Sequence, residues 1–350
     1  MACLGERVSQ VDEDSFGRRS SRTNTRRRSK DRPDFSDATV GMVTAVDRGR
    51  ITCVVPDGAT HADQTQIVTV KARELGRKGV VVGDKVRVVG DLSGRPDTLA
   101  RLVEVIDRNT SLMRTADDAD PVERVIVANA DQIALVTATT NPEPRLGLID
   151  RTLVAAYEAG LQPILILTKT DLKSADELLA NYSEMDLQYF LVDQKSGSGV
   201  AQVREALLGH TTAFIGHSGV GKSTLVNALV PEAGRATGEV NDVTGRGKHT
   251  STSAVALPLP NDTGWVIDTP GLRSFGLAHV DPDRIIESFP ELAEGATNCP
   301  RACTHVNNEG VAPPDCALDD WVQEGQAGIG GAARLSSLRR LLFALQTPSS

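Results

Sequence analysis

The sequence predicts an α/β protein in three parts: a small N-terminal β-barrel, a central domain with a mostly parallel sheet, and a C-terminal helical domain. Three observations predict this fold class. Short valine-rich segments fill residues 38–108, apolar strands alternate with helices from about residue 122, and Cys and His residues cluster after residue 298. Strand–helix alternation is typical of a parallel sheet. A chain of 350 residues can bury more than one core.

Residues 1–37 are predicted to form a disordered basic arm. Basic side chains crowd residues 18–32 and only Asp31 opposes them. A solvated tail and an RNA-contacting arm both fit this composition, because attraction to phosphate needs only mobile positive charge. The whole chain has a net charge of −8, which argues against a generally basic nucleic-acid binder. Neither a membrane span nor a signal peptide is visible, so we expect a cytoplasmic protein with no membrane partner.

Residues 38–108 are predicted to form a five-stranded OB-type barrel. The predicted strands are 38–47, 51–55, 67–73, 86–89 and 99–106, and the breaks between them are rich in Gly, Pro and Asp. Five strands in about 70 residues fit a small closed barrel. An SH3-like barrel would produce a similar pattern.

Residues 109–276 are predicted to form the central domain and residues 277–350 the C-terminal domain. Predicted central strands cover 122–127, 132–137, 163–167, 213–215 and 265–267, and predicted helices cover 151–160, 174–182, 199–208 and 223–230. Further helices are expected at 282–289 and along the leucine stripe 335–345, with a glycine-rich loop at 325–331 between them.

A phosphate-binding loop lies between a predicted strand and a predicted helix. Its glycines let backbone N–H groups close around phosphate oxygens at the positive end of the helix. Lys222 is predicted to reach the β- and γ-phosphates, and Ser223 to offer a hydroxyl to magnesium. The loop consists of Gly216, His217, Ser218, Gly219, Val220, Gly221, Lys222, Ser223 and Thr224.

Downstream of this loop, Asp268-Thr269-Pro270-Gly271 follows a buried strand. Asp268 is predicted to hold magnesium through water, and Gly271 to let the backbone approach a γ-phosphate. The tetrapeptide alone could be an ordinary turn. Its position after a phosphate-binding loop in the same domain favours the nucleotide-binding interpretation.

Upstream, Thr168-Lys169-Thr170-Asp171 follows another apolar strand and is interpreted as a guanine reader. A carboxylate at Asp171 can accept two hydrogen bonds from the guanine edge, which adenine cannot donate, and Lys169 can lie over the base. The usual guanine motif begins with Asn, so Thr168 is a departure. The order of base reader, phosphate loop and switch indicates a circular permutation.

Four potential metal ligands follow the last central strand. Cys299, Cys303, His305 and Cys316 supply the three thiolates and one imidazole of a closed structural zinc site. Free cysteines beside a surface histidine are the alternative. Zinc would organise a short segment that has little core of its own.

These motifs, in this order, resemble the ribosome small subunit-dependent GTPase A family of circularly permuted GTPases. Residues 245–251 are similar to the family's switch I, residues 124–132 to the start of its GTPase domain, and the Cys/His cluster occupies the place of its zinc domain. The resemblance implies a circularly permuted P-loop GTPase domain between an OB-type barrel and a zinc-binding helical domain. It covers about residues 38–345.

The resemblance also implies a monomeric late-assembly factor that binds the small ribosomal subunit and its rRNA. Such a factor hydrolyses GTP to GDP with Mg²⁺, and the subunit stimulates hydrolysis. Thr250 then senses the γ-phosphate and magnesium, and Ser251 is the alternative. Because Leu272 stands where many GTPases have a water-orienting glutamine, His249 becomes the candidate for that role, and a structural His249 is the alternative. Lys222 completes the predicted catalytic set.

Two points stay open from the sequence. Asp193 and Gln194 depart from the family's Ser-Ala-Lys-like turn, so a contact between Gln194 and the guanine oxygen is a hypothesis. A nucleotide-sensing rRNA-binding module, whose output needs no turnover, is the alternative function. A metabolic P-loop ATPase is disfavoured by Asp171.

Overall fold

The structure is a computed structural model. It describes residues 34–47, 49–56, 64–76, 79–117, 120–183, 185, 187–231, 253–260, 263–270, 280–307, 310–328 and 330–346. The arm predicted for residues 1–37 lies almost wholly outside these residues. The predicted switch I segment 245–251, with His249 and Thr250, also lies outside them, as do Gly271 and Leu272.

The N-terminal part is a closed five-stranded barrel. Its strands are β1 (Thr39–Asp47), β2 (Arg50–Pro56), β3 (Gln64–Lys71), β4 (Lys85–Gly90) and β5 (Ala100–Val105). Neighbours pair in the order β1-β2-β3-β5-β4, and β4 pairs with β1 to close the ring. The β3–β5 pair is parallel and the others are antiparallel. This closure agrees with the predicted OB-type barrel. Alternate Val, Ile and Leu residues of the strands point inward and form its core.

A β-hairpin, β6 (Ser111–Asp117) and β7 (Asp120–Ala128), connects the barrel to the central sheet. Strand β7 contains the predicted strand 122–127. Strand β6 was not predicted from the sequence, because Ser111–Asp117 contains no run of β-branched or aromatic residues.

The central sheet contains β8 (Gln132–Ala138), β9 (Gln162–Thr168), β10 (Gln188–Val192), β11 (Thr211–Gly216), β12 (Val255–Pro258) and β13 (Trp265–Asp268). Their order is β10-β9-β8-β11-β13-β12, and only β12 runs antiparallel to its neighbour within this group. Strand β12 also pairs with β1 at Ala45 and Val255, which joins the sheet to the barrel. The carboxyl ends of five parallel strands therefore lie at one edge.

Helices cover both faces of this sheet. They are α1 (Leu146–Glu158), α2 (Asp176–Leu179), α3 (Val200–Ala206) and α4 (Lys222–Leu229). Alternate residues of each strand enter opposite cores: Leu135 and Leu165 pack on the side of α1, whereas Val136 and Ile166 pack on the side of α3 and α4. Both faces are buried, as a parallel sheet requires.

The C-terminal helices are α5 (Pro282–Glu287), α6 (Pro290–Ala296), α7 (Leu318–Gln323) and α8 (Gly331–Gln346). Helix α8 packs against α1, and the apolar core on that side of the sheet continues into this region. The predicted leucine stripe is buried at Leu335, Leu338, Leu341 and Leu342. None of the helices in the described ranges has the length and apolarity needed to cross a bilayer.

Three predicted helices have different bounds. The helix predicted at 282–289 ends at Glu287, because Pro290 begins a separate helix. The helix predicted at 174–182 forms only over Asp176–Leu179. Helix α1 begins at Leu146 and not at residue 151, because Ile149 and Leu153 pack against the sheet.

Candidate nucleotide site and Cys/His cluster

The predicted phosphate-binding loop joins β11 to α4. Gly219 and Gly221 adopt left-handed φ values of 83° and 89°, which L side chains rarely occupy. A Cβ at Gly216 would lie 2.6 Å from the carbonyl oxygen of Val136 on the adjacent strand β8. Glycine is therefore required here both by backbone conformation and by close approach of a neighbouring strand.

Lys222 meets the predicted magnesium residue Asp268. Strand β13 runs parallel to β11 and ends at Asp268, opposite Phe214. The Lys222 ammonium contacts the Asp268 carboxylate and donates to the carbonyl oxygen of Thr269 at 2.5 Å. The Thr269 hydroxyl in turn donates to the Phe214 carbonyl oxygen at 2.7 Å. The two predicted motifs thus share one hydrogen-bonded cluster, and Lys222 is only 8% exposed within it.

The predicted base reader touches the phosphate-binding loop from the upstream side. Buried Thr168 ends β9 and donates its hydroxyl to the Val220 carbonyl oxygen at 2.5 Å. Lys169, with a φ of 60°, donates from Nζ to the Gly219 carbonyl oxygen at 2.9 Å. Asp171 is exposed at the same edge of the sheet. Lys169 and Thr168 therefore contact loop residues that lie 50 and 52 positions further along the chain.

The other predicted residues of the site surround this contact. His217 and Thr170 are partly buried, and the exposed members are Ser218, Ser223 and Thr224. The loops at the carboxyl ends of parallel strands are where open α/β sheets bind ligands. The arrangement can enclose phosphates in backbone N–H groups and offers hydroxyl and carboxylate oxygens beside Lys222.

Two residues at this edge were missed from the sequence. Thr139 follows β8 and its hydroxyl donates to the Lys169 carbonyl oxygen at 2.9 Å. The carbonyl oxygen of Asn141 accepts from Lys169 Nζ. A signal was available, because Thr139 to Asn141 directly follow a buried strand that neighbours both motif-bearing strands.

Gln194 lies over the phosphate-binding loop. Its carboxamide Nε2 donates to the Gly221 carbonyl oxygen at 2.7 Å. The hypothetical contact of Gln194 with the guanine oxygen stays a prediction, whereas the contact with Gly221 is a new feature.

The four Cys/His residues converge at the C-terminal side of the molecule. Their ligand atoms all lie within 4.8 Å of one another. His305 Nδ1 is 3.6 Å from Cys299 Sγ, 3.7 Å from Cys303 Sγ and 3.6 Å from Cys316 Sγ. Tetrahedral zinc with ordinary Zn–S and Zn–N bonds places S and N atoms about 3.6 Å apart. The donor set and its spacing therefore fit this metal.

Arg339 of α8 supports the cluster from behind. It donates to Cys316 Sγ at 3.7 Å, to the His305 carbonyl oxygen at 3.0 Å, and in a bidentate pair to Asp319 at 2.7 Å for both bonds. Burial raises the pKa of Cys299 to about 11. Burial also tends to raise the pKa of Cys316. Hydrogen bonds from His305, the Leu318 amide and Arg339 outweigh this effect and lower the pKa to about 7. These hydrogen-bond donors thus favour a thiolate at Cys316.

Strand β9, which carries the predicted base reader, precedes β11, which carries the predicted phosphate-binding loop, yet both strands are neighbours of β8 in the sheet. With the flanking barrel and the Cys/His cluster, this defines a circularly permuted P-loop GTPase. A sequence model described as RsgA GTPase matches residues 105–278. The chain belongs to the RsgA GTPase family, whose members hydrolyse GTP, and the resemblance inferred from the motifs is confirmed.

Similar proteins support this assignment. The chain is 33% identical over 319 residues to "Small ribosomal subunit biogenesis GTPase RsgA 1" of Vibrio vulnificus strain YJ016, covering 87% of this chain and 86% of that protein. It is 37% identical over 255 residues to "Small ribosomal subunit biogenesis GTPase RsgA" of Pseudomonas putida strain F1 (ATCC 700007), covering 71% of each chain. The crystal structure of YjeQ from Thermotoga maritima shares the fold, with a TM-score of 0.60, 24% identity, and coverage of 88% of this chain and 98% of that one.

Proposed function

We propose that this protein is a GTPase that assists late assembly of the small ribosomal subunit and is stimulated by that subunit. The observation that carries the proposal is the contact of the base-reading segment with the phosphate-binding loop, through Thr168 and Lys169. The relatives named for small-subunit biogenesis supply the partner. In this proposal residues 38–108 are the rRNA-binding barrel, 109–276 the GTPase domain and 277–350 the zinc domain.

The guanine base is assigned to the segment 168–171, with Asp171 as the acceptor of two base N–H groups. The phosphates are assigned to the loop 216–224. Backbone N–H groups at the start of α4 face an anion favourably because the helix dipole is positive there. Lys222 would exchange its contacts with Asp268 and Thr269 for phosphate oxygens.

Magnesium is assigned to oxygen ligands of Ser223 and Asp268, with Thr250 of switch I as the third. Hydroxyl and carboxylate oxygens suit this hard cation, and Asp268 already carries a cationic partner in Lys222. When bound, magnesium neutralises developing phosphate charge. Lys222 adds a second positive charge, while His249 is proposed to orient the attacking water.

Zinc is assigned to Cys299, Cys303, His305 and Cys316 in a structural role. Four protein ligands close the site, so no position remains for a substrate. The metal would hold together the segment between α6 and α8, and its binding free energy would contribute to folding of that segment. Arg339 would keep the thiolate of Cys316 and the backbone at His305 in place, as outer-shell partners do.

The remaining assignments concern the setting. We place the protein in the cytoplasm, as a monomer, contacting rRNA of the small subunit. The basic arm within residues 1–37 is a further candidate for RNA contact.

The proposal is tested by GTP turnover titrated with purified small subunits, together with Asp171→Asn. Removing hydrogen bonds to a charged acceptor should weaken GTP binding by about 10- to 100-fold. Xanthosine triphosphate, which carries an acceptor oxygen where guanine carries its amino group, should bind the variant better. Asp176→Asn, an exposed change on α2, is the matched control.

Each result has a defined meaning. Turnover that rises with added subunits supports the proposal. Flat turnover with tight binding to subunits favours a nucleotide-sensing rRNA-binding module. Equal affinity for GTP and ATP, unchanged in Asp171→Asn, removes the guanine assignment.

A further inference from the structure

Three consecutive carbonyl groups of the phosphate-binding loop accept hydrogen bonds from side chains that lie upstream in the chain. Lys169 donates to Gly219 at 2.9 Å and Thr168 donates to Val220 at 2.5 Å. Gln194 donates to Gly221 at 2.7 Å. The first two donors belong to the proposed base reader, and the third belongs to the turn that follows the next strand, β10.

Gln194 differs from the other two because its turn is fixed by its own hydrogen bonds. The Asp193 carboxylate accepts from the backbone N–H groups of Lys195 at 2.8 Å and Ser196 at 3.2 Å. The Asp193 carbonyl oxygen accepts from the Gly197 N–H at 2.9 Å. Because the backbone of the turn is already ordered, placing the Gln194 carboxamide costs side-chain entropy but little further backbone entropy.

The acceptor, Gly221, is the residue at which the phosphate loop becomes α4. Its carbonyl oxygen also accepts the first helical bond, from the Leu225 N–H at 3.0 Å. A Cβ added to Gly221 would collide with the carboxamide of Gln194. Glycine at this position thus permits both the left-handed φ and the close approach of Gln194.

Holding these carbonyl oxygens has a consequence for phosphate binding. A phosphate-binding loop works when its N–H groups point inward at the anion. Within one trans peptide group, the C=O of a residue and the N–H of the next residue point in opposite directions. External donors on the carbonyl groups of Gly219, Val220 and Gly221 therefore favour the backbone orientation that presents N–H groups to phosphate. Such preorganisation lowers the cost of ordering the loop when a nucleotide binds.

We propose that Gln194 is a positioning residue that couples the guanine-side turn to the phosphate-binding loop through the Gly221 carbonyl group, and does not recognise the guanine oxygen itself. The proposal rests on the proposed function, since it assumes that this site binds guanine nucleotides. The proposal gives Gln194 a role in phosphate affinity. The sequence had suggested instead that Gln194 contacts the guanine oxygen, by its similarity in position to the family's Ser-Ala-Lys-like turn.

The test compares Gln194→Ala and Gln194→Glu with the matched control Gln188→Ala, an exposed glutamine on β10. Affinities are measured calorimetrically for GDP, for GMP and for the diphosphate of 2-aminopurine riboside. The last ligand lacks the guanine oxygen and also the N1 hydrogen assigned to Asp171, so each variant is compared with the wild type for the same ligand. Loss of one hydrogen bond should weaken GDP binding by about threefold to tenfold in Gln194→Ala. Gln194→Glu should lose at least as much, because an ionised carboxylate donates no hydrogen bond and repels a carbonyl oxygen.

Ligand dependence separates positioning from base contact. GMP lacks the β-phosphate that the loop encloses, so its affinity should change by less than about twofold. The 2-aminopurine diphosphate should lose as much as GDP. Guanine contact would replace the proposal if Gln194→Ala lost the same affinity for GDP and for GMP but none for the 2-aminopurine ligand. Unchanged GDP affinity in both variants would overturn it outright.

Two further measurements keep the outcomes distinct. Thermal unfolding without nucleotide shows whether each variant is folded, and the GDP-to-GMP ratio within one variant is insensitive to the fraction of active protein. If the wild-type protein does not prefer GDP to ADP, the proposed function fails together with this inference. If the wild-type protein prefers GDP to ADP and Gln194→Ala binds GDP with the wild-type affinity, only the coupling role of Gln194 fails.

Discussion

Arg340 of α8 connects the C-terminal helices to the central domain through a buried carboxylate. Its Nε donates to Asp150 of α1 at 3.2 Å, and one terminal nitrogen donates to the Asn181 carbonyl oxygen at 2.7 Å. The guanidinium lies 4.7 Å from the ring centre of Tyr182. The Tyr182 hydroxyl donates to the same Asp150 oxygen at 3.1 Å. Asp150 has only 5% of its side chain exposed, against 30% for Arg340.

Arg340→Leu should therefore destabilise the docking of α8 on α1. Removing one partner of a fully buried ion pair costs roughly 3–5 kcal/mol, because the other charge is left uncompensated. Water reaches Arg340 in part and Tyr182 still donates to Asp150, so we expect about 2–3 kcal/mol. Asp150→Asn should cost less, since a neutral amide can still accept from Tyr182 and Arg340 keeps the Asn181 carbonyl group.

The loss should depend on pH. Burial raises the pKa of Asp150 above its ordinary value, and Arg340 and Tyr182 act against this. A carboxyl group with a raised folded pKa costs stability while it is ionised. This cost begins to shrink as pH falls through the folded pKa and is lost below the ordinary pKa of the unfolded chain. Arg340→Leu deletes the largest opposing interaction and raises the pKa further. Its destabilisation should be largest at neutral pH and shrink as pH falls.

The assay is urea unfolding at pH 8 and pH 5.5, followed by the fluorescence of Trp321 on α7. A Trp265→Phe background leaves Trp321 as the single tryptophan, because the chain has two. Arg101→Leu, at an exposed position of β5, should change the free energy of unfolding by less than about 0.5 kcal/mol. Equal losses for Arg340→Leu at both pH values, or the same pH dependence with Asp150→Asn added, would refute the reasoning.

Two further predictions concern the Cys/His cluster and the turn that carries Gln194. Cys303→Ser should lower bound zinc from about one equivalent to near zero after dialysis against a weak chelator, while Cys53→Ala should keep the metal; atomic absorption distinguishes them. Burial in the barrel raises the pKa of Cys53 to about 12, so this thiol is no competing ligand. Gly199→Ala should weaken GDP binding and lower the melting temperature, because its Cβ would collide with the Leu191 carbonyl oxygen at a φ of 86°. Normal GDP affinity and melting in Gly199→Ala would contradict this.

Local features of this protein could be predicted from its sequence because neighbouring residues determine them. The glycines of the loop 216–224 permit a left-handed backbone, and the five valine-rich segments form the barrel strands close to their predicted bounds. Convergence of Cys299, Cys303 and His305 follows from their close spacing. The order of the three nucleotide-binding motifs was sufficient to predict the permutation.

Tertiary structure decided the rest. Strands β10 and β12 were missed from the sequence. Strand β10 is an edge strand with three of its five side chains exposed, β12 is only four residues long, and pairing with a neighbouring strand stabilises each. The contacts of Thr168, Lys169 and Gln194 with the phosphate loop join residues 52, 50 and 27 positions apart. Such contacts depend on which strands become neighbours in the sheet, and a linear pattern of residue types does not contain that information.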